Sequence, residues 1–177
     1  ESEEGTFFQA VSKGCKALKS DFKLKVTAID SMCDTGAASG SVGMVYPELL
    51  LVDLPGPDDD SALSALIQGL HEPTLTLPAS LAYSSSIGFD RLILVCVHGS
   101  RDKRGGKAGP QILRAIQSEV EVRGMAKKTF VVGSSHIGGH KFAATLIAYP
   151  GGEWFGKITK KEVPQLMDFI IRRGCIS

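Results

Sequence analysis

The stretch Arg91-Leu-Ile-Leu-Val-Cys-Val97 decides the fold. After Arg91 it is apolar without alternation, so a strand here has no face fit for water and belongs inside a sheet covered on both sides. Working outward, residues 110–123 read as a helix opened by Pro110, and residues 129–133 as a second buried strand. Strand, crossover helix and strand predict a right-handed parallel pair. Beyond it, residues 143–149 and 154–158 flank Gly151-Gly152 and predict an antiparallel hairpin on the same sheet, followed by a helix over residues 161–173.

The resulting order, βαβ, then ββ, then α, predicts an α/β fold of the thioredoxin-like kind, a mixed sheet flanked by helices. Upstream, Phe7, Val11, Cys15 and Leu18 recur at helical spacing over residues 6–19. Residues 25–28 and 44–53 are strand-like runs separated by the Gly- and Ser-rich stretch 34–43. Pro55-Gly56-Pro57 and three aspartates then lead into a helix over residues 61–71, whose apolar face is Leu63, Leu66, Ile67 and Leu70. This repeats the later part of the downstream pattern, with 25–28 matching 129–133 and 61–71 matching 161–173. The expected organisation is a partial, degenerate thioredoxin-like unit over 1–75, a connector over 76–88 rich in Pro, Ser and Thr, and a complete thioredoxin-like domain over 89–177.

With 43% hydrophobic and 22% charged residues, the chain has the composition of a globular protein. A net charge of +1 supplies no general field for nucleic acid, and no nucleic-acid partner is expected. The apolar runs fall short of the roughly 20 residues a membrane-spanning helix needs. Glu1 in place of an initiating methionine reads as a processed chain or a piece of a longer one. Cys15, Cys33, Cys96 and Cys175 form no CxxC pair, which argues against a disulfide scaffold or a zinc ribbon.

The chemistry gathers where the two parallel strands end. Cys96 and His98 leave the first strand, and His136 and His140 follow the second. Loops beyond the carboxyl ends of neighbouring parallel strands lie side by side, so the two segments should meet. Gly138 and Gly139 between the histidines permit a tight turn that aims both imidazoles into one pocket. Thiolate with imidazole suits zinc, copper or an iron-sulfur centre. Arg101, Asp102, Lys103, Arg104 and Lys107 read as a charged, solvated loop beside the site. Ser100, Ser134 and Ser135 lack a nucleophile elbow, and the glycines of 104–109 lack the Gly-Lys-Ser/Thr ending of a phosphate loop.

Two blocks, Cys96-Val-His98-Gly-Ser-Arg101-Asp102-Lys-Arg104-Gly105-Gly106-Lys-Ala-Gly109-Pro110 and Ser135-His136-Ile-Gly138-Gly139-His140-Lys-Phe142-Ala, resemble the sucrase/ferredoxin-like family. Tyr149-Pro150 and Trp154-Phe155-Gly156 fit the same pattern, and the resemblance covers roughly residues 89–158. It implies a thioredoxin-like ferredoxin whose 2Fe-2S cluster is held by two cysteines and two histidines. Carried over by position, it assigns Cys96, His136 and His140 as ligands; the second cysteine of an Arg-Cys-Gly step falls on Gly105, which has no side chain to coordinate iron.

Three outcomes stay open for that site. His98, Asp102 or Cys33 completes the ligand set; the three remaining ligands hold another metal such as zinc; or the site is empty. The functional expectation is an electron carrier rather than a stand-alone enzyme, working with a protein redox partner. The alternative is a structural subunit of a larger organellar complex that has lost the cluster. The resemblance favours the mitochondrion over the chloroplast, with the cytosol as a further option.

Overall fold

The computed structural model describes residues 11, 13, 14, 16, 42–45, 50–53, 59–72, 74–79, 83–84, 88–97, 103–135, 137–139 and 142–173. Those up to 84 belong to one compact unit and those from 88 onward to a second.

In the first unit, β1 (Val42–Val45), β2 (Leu50–Asp53) and β3 (Tyr83–Ser84) form an antiparallel sheet in the order β1-β2-β3. The run 44–53, expected as one strand, is therefore two paired strands, with Val45 opposite Leu50. Residues 46–49 between them lie outside the described residues. The segment 76–88 carries β3, which pairs with β2. Helix α1 (Asp60–His71) begins where the acidic run predicts, and the Asp59 carboxylate accepts a hydrogen bond from the Ala62 N–H at 3.0 Å. Leu66 and Val52 are buried together, with Val45, Leu70 and Leu77 packed around them. Val11, Lys13, Gly14 and Lys16 are helical, as expected; residues 25–28 lie outside the described residues.

The second unit is a four-stranded sheet in the order β5-β4-β6-β7, made of β4 (Arg91–Cys96), β5 (Thr129–Ser134), β6 (Leu146–Tyr149) and β7 (Glu153–Phe155). β4 pairs parallel with β5 and antiparallel with β6, which pairs antiparallel with β7. Numbered along this unit the order is 2-1-3-4, the arrangement of a thioredoxin-like sheet, and the fold is of that α/β class. Helices α2 (Lys103–Val122) and α3 (Val163–Arg173) pack side by side on one face of it. Ile112, Ile116 and Val120 of α2, with Val163, Leu166, Met167 and Ile170 of α3, pack on Ile93, Val95, Leu146 and Ala148. Fully burying each such side chain contributes about 1.5–3 kcal/mol. Leu92 and Leu94 face the other side of the sheet and are also buried, which is why β4 carries no polar alternation.

Helix α2 differs most from the sequence expectation. Lys103, Arg104 and Lys107 form its first turns and not a solvated loop, and Pro110 lies inside it. Glycines 105, 106 and 109 and the proline all argue against helix on intrinsic preference, at roughly 1 kcal/mol per Gly and 3 per Pro. The contacts of the helix with β4, β5 and α3 outweigh them.

The two helices are joined at one end by Arg123, which donates to the Glu119 carboxylate at 2.7 Å, to Asp168, and to the Pro164 carbonyl at 3.0 Å. Hydrogen bonding from Arg123 holds the Asp168 carboxyl below its ordinary range. The Thr159 hydroxyl, then its N–H, does the same for Glu162 ahead of α3. A carboxyl lowered on folding stabilises the folded state above its unfolded pKa, and that contribution is lost as pH falls through the lowered folded value. The melting temperature of the protein is thus expected to decline below about pH 4, and Asp168→Asn to shallow that decline, in thermal melts followed by circular dichroism across an acid series. An equally steep decline in the variant would remove Asp168 from the account.

Candidate metal centre

Cys96 is the last residue of β4, and three chain segments close around it. Its N–H donates to the Thr145 carbonyl at 2.9 Å, just ahead of β6. The next residue, Val97, donates to the Ser134 carbonyl at the end of β5, at 3.0 Å. The Cys96 thiol, partly exposed, donates to the Ser135 carbonyl at 3.2 Å. The thiol is thus held against the residue that runs directly into position 136.

The third segment is the start of α2. A Cβ at Gly109 would overlap the Cys96 carbonyl oxygen and lie 3.1 Å from the Val97 Cα. This glycine is needed for close approach of helix backbone to strand backbone. Position 105 belongs to the same helix, four residues earlier. Residues four apart share a helical face, so position 105 lies one turn further along the stripe that meets the end of β4.

The loop between β5 and β6 is pinned at several points. Ile137 is fully buried, Gly138 and Gly139 take φ of 101° and 68°, and the Phe142 N–H donates to the Gly139 carbonyl at 2.8 Å. The Thr145 hydroxyl lies 2.8 Å from the Phe142 carbonyl oxygen and 3.3 Å from that of Gly139. Ala144, at φ 55°, displaces the start of β6 to Leu146, three residues later than the expected 143. The Lys157 N–H closes the loop onto the Ala143 carbonyl at 3.0 Å. Phe142 and Trp154 are 39% and 49% exposed, and Trp154 stands opposite Ile147 in the β6–β7 ladder.

Of the sequence-assigned ligands, Cys96 falls among the described residues. His136 and His140 lie outside them, as do the substitutes His98, Asp102 and Cys33. Among the described residues no three His, Cys, Asp or Glu side chains gather into a metal-holding group. Sequence reasoning missed Thr145 and the contact made by Gly109. Gly109 did stand in the quoted block, whereas a threonine before a strand carries no signal of its own.

The family model described as Sucrase/ferredoxin-like matches residues 1–177. The chain belongs to the sucrase/ferredoxin-like family. Among curated relatives, "Altered inheritance of mitochondria protein 32" of Meyerozyma guilliermondii is 33% identical over 90 residues, covering 49% of this chain and 32% of that protein. "Actin patches distal protein 1" of Saccharomyces cerevisiae is 26% identical over 136 residues, covering 68% of this chain and 43% of that protein. This sucrase/ferredoxin-like chain therefore spans less than half the length of either. Among solved structures, the wild-type thioredoxin-like 2Fe-2S ferredoxin of Aquifex aeolicus superposes with a TM-score of 0.39 at 17% identity, over 44% of this chain and 82% of that one. No helix among the described residues of this family member is long and apolar enough to cross a membrane.

Proposed function

We propose that this chain is a ferredoxin-type protein that carries single electrons at a 2Fe-2S centre held by Cys96, His136 and His140. The observation that carries this reading is the Cys96 thiol, held 3.2 Å from the Ser135 carbonyl at the mouth of the loop whose sequence supplies both histidines. One thiolate and two imidazoles are three of the four protein donors such a centre takes, and Gly105 leaves the fourth position open. Bound there, the cluster would supply one-electron redox chemistry. Ligation by His136 and His140 would raise the potential above that of an all-cysteine cluster and make it depend on imidazole protonation. The proposed partners are a protein electron donor and acceptor, and the names of the relatives favour an association with mitochondria.

A second reading is favoured by Gly105 itself: an accessory subunit of a larger organellar complex that has lost its cluster or holds zinc at the same place. Anaerobic purification with iron, sulfide and zinc assays separates the two. Iron and sulfide in equal amounts with visible absorption, both falling to background in Cys96→Ala, are expected. Zinc alone, or a colourless metal-free protein that stays folded, would replace the electron-transfer reading with the accessory one.

A further inference from the structure

We infer that Thr145 is a positioning residue for this centre, holding the histidine loop in register with the Cys96 thiolate; the inference rests on the metal-centre reading above. Thr145 is 5% exposed and joins two parts of the site at once. Its carbonyl accepts the Cys96 N–H at 2.9 Å, which fixes it to the strand end that bears the thiol. Its hydroxyl meets the carbonyl oxygens of Phe142 at 2.8 Å and Gly139 at 3.3 Å, the two residues that bracket positions 140 and 141. One hydroxyl proton serves both, favouring Phe142 by distance.

The neighbouring backbone needs such a restraint. Gly138 and Gly139 have the widest conformational freedom in the chain's repertoire, and Ala144, a non-glycine at φ 55°, holds a conformation that persists only where its surroundings impose it. Thr145 is the residue adjoining Ala144, and its γ-methyl lies 3.4 Å from where a Gly139 Cβ would stand. Partners hydrogen-bonded directly to metal ligands are typically worth about 10- to 100-fold in affinity, and Thr145, which bonds the residues on either side of positions 140 and 141, acts one step further out, at the lower end of that range.

The test uses the full chain, reconstituted anaerobically with iron and sulfide, as parent, Thr145→Val and Thr145→Ser. Valine keeps the shape and removes the hydroxyl; serine keeps the hydroxyl. The valine variant is expected to melt within a few degrees of the parent yet retain iron and sulfide about tenfold less well against a chelator, with a shifted electron paramagnetic resonance spectrum and faster amide exchange at Phe142. Serine is expected to restore all three. If valine fails to fold, Thr145→Ala takes its place with the same readouts. A loaded parent with an unchanged valine variant, or a loss that serine does not restore, overturns the role of Thr145 alone. A parent that takes up no cluster overturns the metal-centre reading and this role with it, and is told apart by the parent's own iron content.

Discussion

Gly105→Cys is expected to raise cluster occupancy to near one per chain, with iron and sulfide retained at least about tenfold longer against a chelator than in the parent. Position 105 stands four residues before Gly109, whose backbone abuts the Cys96 carbonyl, so at 1.5 Å per residue it lies about 6 Å further along the helix axis, past the end of β4. Four residues make slightly more than one turn, so a side chain there projects from nearly the same face. It also stands in the first turn of α2, where the unpaired N–H groups and the helix dipole lower a thiol pKa and favour the thiolate that iron requires. Replacing glycine by cysteine inside a helix gains about 0.3 kcal/mol of helix preference rather than losing any. Gly106→Cys is the control, because the next residue points about 100° away around the helix and should gain no iron. If Gly105→Cys holds no more iron than the parent, or if Gly106→Cys does equally well, position 105 is not part of the ligand shell.

Gly109→Ala is expected to destabilise the second unit by about 2 kcal/mol, lowering its melting temperature by roughly 10 °C. Two effects oppose each other. Alanine is the better helix former by about 1 kcal/mol, which alone predicts a gain. Its Cβ, however, would overlap the Cys96 carbonyl oxygen and press on the Cys96 and Val97 backbones at 3.1 Å. Those are backbone atoms of the central strand, tied to Ser134 and Thr145 by hydrogen bonds, and they cannot swing aside as the end of a side chain would. Overpacking costs typically 1–3 kcal/mol and occasionally more, so the overlap prevails. The same displacement moves Cys96 relative to the helix, and metal retention should fall with stability. Urea unfolding of parent and variant measures the first effect and a chelator challenge the second. A variant as stable as the parent would mean that helix and strand backbones do not meet at this point.

The parts of the fold that were legible were those where burial repeats locally. Leu92–Cys96 lies in the interior of the second unit and its unbroken apolar run records it, whereas Thr129–Ser134, at the edge of the described sheet, was legible from the shorter run Phe130-Val-Val132. Asp60–His71 and Val163–Arg173 carry apolar stripes at helical spacing and were placed to within a few residues. The start of α2 was not legible, because three glycines and a proline oppose helix on intrinsic preference and the contacts that overrule them come from strands distant in sequence. β6 begins late for a similar reason: Ala144 takes a left-handed φ that nothing in its identity announces.

For the site, the sequence by itself determined which atoms are available: a thiol at 96, imidazoles at 136 and 140, and no donor at 105. Side-chain chemistry is written residue by residue, so the candidate donors can be read from the order of the chain, while the expectation of a further donor at 105 came from the family resemblance. Only the tertiary structure decided that Gly109 lets α2 touch the end of β4, and that Thr145 links the Cys96 strand to the carbonyls of Gly139 and Phe142. The physical reason is that both contacts end on backbone oxygens. Every residue carries the same carbonyl, so the identity of the partner leaves no mark in the sequence and becomes visible only when the chain has folded.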